Sequence, residues 1–131
     1  MFFDEKLEQV LHQHKGAMAP PREIIKTPEQ IDGIRKAGEI NTMVLDTVSE
    51  HMAEGISTGE INRIVEERTK ELGGICAPLN YEGYPKSVCT SINEVVCHGI
   101  PDDNRILKSG DIINVDCTTI VDGYYGDASR M

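Results

Sequence analysis

A two-residue turn near the end of the chain constrains the fold more than any other feature of the sequence. Asp122 and Gly123 stand between two runs of alternating apolar and polar residues, a pattern typical of a β-hairpin. Counting back from this turn pairs Thr118 with Asp127, because the two strands advance one residue at each step. The sequence therefore predicts that residues 111–131 form an antiparallel hairpin.

This register sorts the hairpin side chains into two faces, because successive residues of a strand point to opposite sides. The predicted apolar face carries Ile113, Val115, Cys117, Val121, Tyr124 and Ala128. The predicted polar face carries Asn114, Asp116, Thr118, Tyr125, Asp127 and Ser129. Asp116 and Asp127 then lie diagonally, with Cβ atoms within roughly 7–8 Å. Carboxylates this close repel each other unless a metal, a proton or solvent intervenes. A site for divalent ions such as manganese, iron or cobalt and a solvated edge hairpin both fit this geometry.

Two amphipathic helices are predicted ahead of the hairpin. Residues 27–30, Thr-Pro-Glu-Gln, have the composition of a helix start with an N-cap, an initial proline and a capping glutamine. The apolar stripe that follows, up to Gly55, consists of Ile31, Ile34, Ala37, Val44, Leu45, Val48 and Met52. Residues 57–60, Ser-Thr-Gly-Glu, repeat the capping pattern, and Gly73-Gly74 end the second helix. The stripe of the second helix consists of Ile61, Ile64, Val65 and Leu72.

Strand-like runs follow the helices at about residues 86–92, 94–98 and 111–121. Helices followed by strands favour an α+β unit over alternating β-α-β units. Residues 1–22 form a separate extension, interpreted as a short docking helix and a linker, and residues 23–131 form the domain.

The histidines are the other candidates for chemistry. His98 is predicted to end a strand, where a structural and a catalytic role are both open. His51 falls in the last turn of the first helix, which favours a structural role. His12 and His14 are two residues apart and do not share a helical face, so we expect them at the surface.

Charge and composition exclude several classes of protein. The net charge of −9 over 131 residues argues against nucleic-acid binding, which requires basic residues to neutralise phosphates. The four cysteines form no CxxC pair, which argues against a zinc knuckle. No apolar stretch is long enough to cross a membrane and no signal peptide is evident, so we expect a cytoplasmic, reduced protein.

Several of these segments occur together in the order found in one enzyme family. The sequences YPKSVC at 84–89, SINEVVCHGIP at 91–101, NVD at 114–116 and GD at 126–127 closely resemble bacterial-type methionine aminopeptidases. The helix start at 25–29 and the cap at 55–59 also match, so the resemblance runs from about residue 24 to 131. It implies the first half of a pita-bread fold, with a dinuclear metal site between two similar halves.

The resemblance implies a role for each candidate residue. Asp116 is expected to chelate one of two divalent ions (cobalt, manganese, iron or zinc), and Asp127 to bridge both. His98 is expected to contact the scissile amide as the catalytic residue, and Thr118 to hydrogen-bond the water held by the metals. The residues expected to line the pocket for the methionine side chain are Tyr81, Tyr84 and Cys89. Pro78 departs from the family, in which cysteine is common at this point.

The implied reaction is metal-assisted removal of the N-terminal methionine from nascent polypeptides. The family supplies a histidine and two glutamates as further ligands from its second half. This chain ends at Met131, shortly after Asp127, so we expect the isolated chain to be inactive and to self-associate. A non-catalytic relative that binds peptides and a half-protein that acts only with a second chain remain open alternatives.

Overall fold

The first helix begins where the sequence predicts. A computed structural model describes residues 21–131 and places α1 at Pro28–His51. The Thr27 hydroxyl accepts from the Gln30 backbone N–H at 3.3 Å, and the Thr27 N–H donates to the Gln30 side chain at 2.9 Å. The capping box is therefore confirmed. The helix ends at His51, short of the predicted Gly55, and the His51 ring lies 2.8 Å from the Thr47 carbonyl oxygen.

Only part of the predicted apolar stripe of α1 is buried. The residues that pack into the core are Ala37, Val44, Leu45 and Val48. The expectation for Ile31 and Ile34 is wrong, since they are 44% and 39% exposed. The reason lies in the line of contact with the sheet. The side of α1 that touches the sheet contains Gly33, which lies close against Tyr124, and Ala37. Ile31 and Ile34 lie to either side of this line of contact and therefore stay exposed.

The second helix, α2, spans Thr58–Glu71 and packs against α1. Its N-cap is Ser57, whose hydroxyl accepts from the Glu60 backbone N–H at 3.0 Å, as the sequence predicts. Ile61 and Val65 are buried in the core that α1 and the sheet share.

The sheet has four strands built around one long central strand. They are β1 Ile75–Cys76, β2 Cys89–Ile92, β3 Ile113–Val121 and β4 Tyr124–Arg130. All pairings are antiparallel, and β4 runs along one edge of β3. Along the other edge, β2 pairs with residues 113–116 and β1 pairs with residues 119–120. The expected α+β class, two helices with antiparallel strands, is confirmed.

Two strand boundaries differ from the sequence prediction. The strand expected at 94–98 is absent, and that at 86–92 begins only at Cys89. Asn93 has a φ of 51°, and the Val95 N–H donates to the Ile92 carbonyl at 3.0 Å, so a turn ends β2. Val96 is consequently 89% exposed despite its strand propensity. The two-residue strand β1 was not predicted, because a run this short carries no periodicity.

The helices and the polar hairpin residues lie on opposite faces of the sheet. Val115, Cys117 and Val121 are buried on the face that meets the helices. Within residues 21–131, no helix is both long and apolar enough to cross a membrane. The docking helix expected in the N-terminal extension and the surface positions of His12 and His14 fall outside the described residues.

Candidate metal centre

The β3–β4 hairpin presents both predicted metal ligands on one face. Thr118 lies opposite Asp127, and Asp116 precedes Thr118 by two residues on β3. Asp122 and Gly123 have φ angles of 51° and 83°, the left-handed conformations that a type I′ turn requires. The predicted hairpin register is confirmed, and the carboxylates of Asp116 and Asp127 therefore project from the same side of the sheet.

The environment of Asp116 disfavours its charge. Partial burial raises the pKa of the Asp116 carboxyl, and the nearby Asp127 carboxylate raises it further. The His98 imidazole acts in the opposite direction and lowers the pKa of Asp116, so it lies within electrostatic reach of the carboxylate. A cation bound between the two aspartates would relieve this repulsion.

Thr118 holds one of the two carboxylates directly. Its hydroxyl donates to Oδ1 of Asp127 at 2.9 Å across the β3–β4 pair. This contact fixes the orientation of Asp127 on the exposed side of the hairpin. The role that the resemblance implies for Thr118, a hydrogen bond to water held by the metals, stays a prediction.

Two of the three expected pocket residues lie beside Asp116. Cys89 pairs with Asp116 across β2 and β3, so their side chains share a face. Burial raises the pKa of the Cys89 thiol, which keeps it uncharged at neutral pH. The nearby Tyr84 hydroxyl acts in the opposite direction and lowers the pKa of this thiol. Tyr81 is 69% exposed and lies in the 3-10 turn Tyr81–Gly83, away from this cluster.

His98 does not end a strand, contrary to the sequence prediction. It lies in the loop between β2 and β3 and has a φ of 55°, which is unusual for a residue with a side chain. The strand was expected because Val95 and Val96 precede it, but the turn at Asn93 has already ended β2. His98 is exposed and lies within electrostatic reach of Asp116.

The sequence profile of metallopeptidase family M24 matches residues 32–131. This match covers most of the chain and includes the whole hairpin. The chain belongs to family M24.

Two curated relatives of this M24 chain are methionine aminopeptidases. The chain is 53% identical to the methionine aminopeptidase of Escherichia coli (strain K12) over 108 residues, which are 82% of this chain and 41% of the relative. It is 54% identical to methionine aminopeptidase A of Synechocystis over 101 residues, which are 77% of this chain and 40% of the relative. The chain thus spans about two-fifths of the length of these relatives. The resemblance to bacterial-type methionine aminopeptidases is confirmed.

Solved structures place the chain in the same fold. The crystal structure of methionine aminopeptidase from Rickettsia prowazekii matches with a TM-score of 0.79 and 47% identity, covering 82% of this chain and 43% of that one. The enzyme from Thermotoga maritima matches with a TM-score of 0.78 and 36% identity, covering 80% and 42%. The expected pita-bread architecture is confirmed.

The residues of this M24 chain fit a divalent metal in part. Asp116 and Asp127 offer hard oxygen donors on one face, and their mutual repulsion favours a cation. Within the described residues, no cluster of three or more His, Cys, Asp or Glu side chains is placed to hold a metal. The hairpin therefore presents two carboxylates of the kind that divalent ions prefer.

A buried asparagine behind the hairpin was not singled out from the sequence. Asn41 of α1 is fully buried, and its Nδ2 donates to the Cys117 carbonyl at 3.1 Å. Its Oδ1 accepts from the Thr119 hydroxyl at 2.8 Å. These bonds tie the helix-facing side of β3 to α1, between Asp116 and the turn. The available signal was a polar residue within the apolar stripe, four residues after Ala37.

Proposed function

We propose that this chain contributes metal ligands and a substrate-contacting histidine to a methionine aminopeptidase, which removes the N-terminal methionine of nascent polypeptides. The observation that carries the proposal is the placement of Asp116 and Asp127 on one face, with His98 within electrostatic reach. The 53% identity to a methionine aminopeptidase supports the substrate class. We place this activity in the cytoplasm, where nascent chains emerge.

In this proposal, Asp116 and Asp127 hold two divalent ions, with cobalt, manganese, iron and zinc as the candidates. When bound, such ions supply Lewis acidity that polarises a peptide carbonyl and makes water nucleophilic at neutral pH. His98 donates a hydrogen bond to the scissile amide and assists the departing nitrogen as a general acid. Thr118 keeps Asp127 oriented through its 2.9 Å hydrogen bond.

The methionine side chain is proposed to pack against the surface formed by Cys89 and Tyr84 beside Asp116. Cys89 and the ring of Tyr84 offer a polarizable, uncharged wall, which suits a thioether. Tyr81, which is 69% exposed, is proposed to contribute to the outer part of this surface. Two carboxylates leave most of the coordination of an ion pair unfilled, so turnover is proposed to require the further histidine and glutamates of the family.

A chimera tests the proposal directly. The 108 matched residues replace their counterpart in the E. coli methionine aminopeptidase, and release of methionine from a Met-Gly peptide is measured with added Mn²⁺ or Co²⁺. We expect the chimera to be active and both Asp116→Asn and Asp127→Asn to abolish turnover. The matched control is Asp122→Asn, which preserves an Asn-Gly turn outside the site.

The expected result for His98→Ala in the same chimera is a loss of about 10²–10⁴-fold in kcat with metal content retained. Metal content is measured by elemental analysis of the dialysed protein. A folded chimera without peptidase activity, or one that keeps its activity after Asp116→Asn, would overturn the proposed function.

A further inference from the structure

His98 is fixed through its backbone rather than through its ring. Among residues 21–131 its imidazole has no hydrogen-bond partner, and its backbone adopts a φ of 55°. A left-handed conformation is unfavourable for a residue with a side chain, so it persists only where neighbouring contacts enforce it. The contacts on the next residue, Gly99, provide that enforcement.

Gly99 is held at both of its backbone polar groups. Its carbonyl oxygen accepts from the Thr90 N–H at 2.8 Å, and its own N–H donates to the Ser91 hydroxyl at 3.2 Å. A Cβ at this position would overlap the Thr90 carbonyl, so only glycine permits so close an approach. The loop that carries His98 is thereby anchored on β2.

A third contact reaches Gly99 from a different segment. The Tyr84 hydroxyl lies 2.9 Å from the Val88 carbonyl oxygen and 3.2 Å from the Gly99 carbonyl oxygen, so its one proton is shared between the two acceptors in a three-centre hydrogen bond. Burial raises the pKa of Tyr84, so its hydroxyl remains a donor throughout the range in which enzymes operate. One hydroxyl therefore links the start of β2 to the residue after His98.

We propose that Tyr84 is a positioning residue for His98. Its hydroxyl hydrogen-bonds to the Gly99 carbonyl, a contact referred to below as the clamp, and so holds His98 in its left-handed conformation. This role is separate from that of a pocket wall, which needs only the aromatic ring. The inference rests on the proposed function in one respect, namely that His98 meets a substrate. The clamp itself belongs to this chain and is measurable without any substrate.

The test is NMR spectroscopy on the 131-residue chain with Tyr84→Phe, which removes the hydroxyl and keeps the ring. We expect amide exchange at Thr90 and Gly99 to accelerate about 2- to 10-fold, the range that one hydrogen bond of ordinary net strength provides. The backbone order parameter of His98 should fall, and its backbone ¹³C shifts should leave the left-handed range. Amides of the β3–β4 hairpin should be unchanged.

The matched control is Tyr81→Phe, in the same segment, because this residue is 69% exposed and, within residues 21–131, its hydroxyl forms no hydrogen bond. This control should leave Thr90, Gly99 and His98 unaffected. The clamp is overturned if Tyr84→Phe matches wild type at these three residues. Equal acceleration at every amide also overturns it, since that outcome marks a general loss of stability.

Kinetics in the active chimera distinguish the role of the Tyr84 hydroxyl in positioning His98 from the role of the Tyr84 ring in binding the methionine side chain. Tyr84→Phe should lower kcat by about 2- to 10-fold with KM for methionyl peptides unchanged, whereas Tyr84→Leu should also raise KM. A rise in KM alone for Tyr84→Phe would assign the hydroxyl to substrate binding and overturn the proposal. If the 131-residue chain shows the expected NMR changes but the chimera is inactive, the proposed function is wrong and the role of the Tyr84 hydroxyl is supported.

Discussion

The hydroxyl of Thr118 donates to Asp127, so this one side chain orients a proposed metal ligand. We expect Thr118→Val, which keeps the shape and removes the donor, to weaken Mn²⁺ binding about 10-fold, because groups that orient a ligand commonly contribute that much. Thr118→Ser should retain wild-type affinity. Calorimetric titration of Mn²⁺ into the active chimera measures the effect, and equal affinities for the valine and serine variants would contradict it.

Asp111 links the two ends of the loop between β2 and β3. Its carboxylate accepts from Asn93 Nδ2 at 2.8 Å, from the Lys108 N–H at 3.1 Å and from Arg105 at 3.4 Å. These donors hold the pKa of Asp111 below its usual value, and the Asn93 side-chain amide makes the largest contribution. Its stabilisation is therefore complete above about pH 4 and lost as the pH falls through the folded-state pKa.

Asp111→Asn should lower the free energy of unfolding at pH 7, and its difference from wild type should shrink as the pH drops below about 4. Urea denaturation at a series of pH values measures both quantities. Asp32→Asn, on the exposed side of α1, is the control and should track wild type. A difference that stays constant down to acidic pH would show that the charge of Asp111 is not what stabilises the loop.

At the scale of elements, a close contact between α1 and β4 sets the position of the strand that carries Asp127. A Cβ on Gly126 would overlap the backbone of Ala37, which cannot move aside as a flexible side chain does. Gly126→Ala should therefore lower the free energy of unfolding by about 1–3 kcal/mol through overpacking. Gly38→Ala, where nothing lies within 4 Å, should instead raise it by about 0.5–1 kcal/mol. Urea denaturation of both variants measures these changes, and changes of the same sign and size in the free energy of unfolding would contradict the prediction.

The elements that sequence reasoning predicted well are those specified locally. The Asp122-Gly123 turn and the alternation beside it define the hairpin register, and with it the shared face of Asp116 and Asp127. The His98 loop was mispredicted because the turn at Asn93 ends β2, and the Gly99 backbone then bonds back to Thr90 and Ser91. Its valines favour a strand, but tertiary hydrogen bonds decide the outcome.

At the scale of the whole molecule, the outer edge of β4 is the exposed feature with the largest consequence. In the described part of the chain β4 pairs only with β3, so its other edge presents unpaired backbone groups. Tyr125 is 59% exposed on this strand. We expect the 131-residue polypeptide to self-associate, as the sequence suggested, with a weight-average mass that rises with concentration.

Sedimentation equilibrium measures this association, and Tyr125→Lys should weaken it by placing a charge on the β4 edge. Ile75→Lys puts the same charge on β1 at the opposite side of the sheet, where the side chain is 66% exposed, and should have a smaller effect. A monomer at all concentrations would contradict the prediction.

No periodicity along the sequence distinguishes the two edges of the sheet, since strand order is a property of the assembled sheet.

The shortness of the connection between Thr118 and Asp127 has a kinetic consequence. The two residues are nine positions apart, whereas the bond from Asn41 to β3 spans 76 positions. A small loop closes faster than a large one, and isolated hairpins form in about 1–10 μs. During refolding we therefore expect the carboxylate pair to assemble in the hairpin before α1 docks behind it, so that the proposed ligands are available to divalent ions while the core is still open.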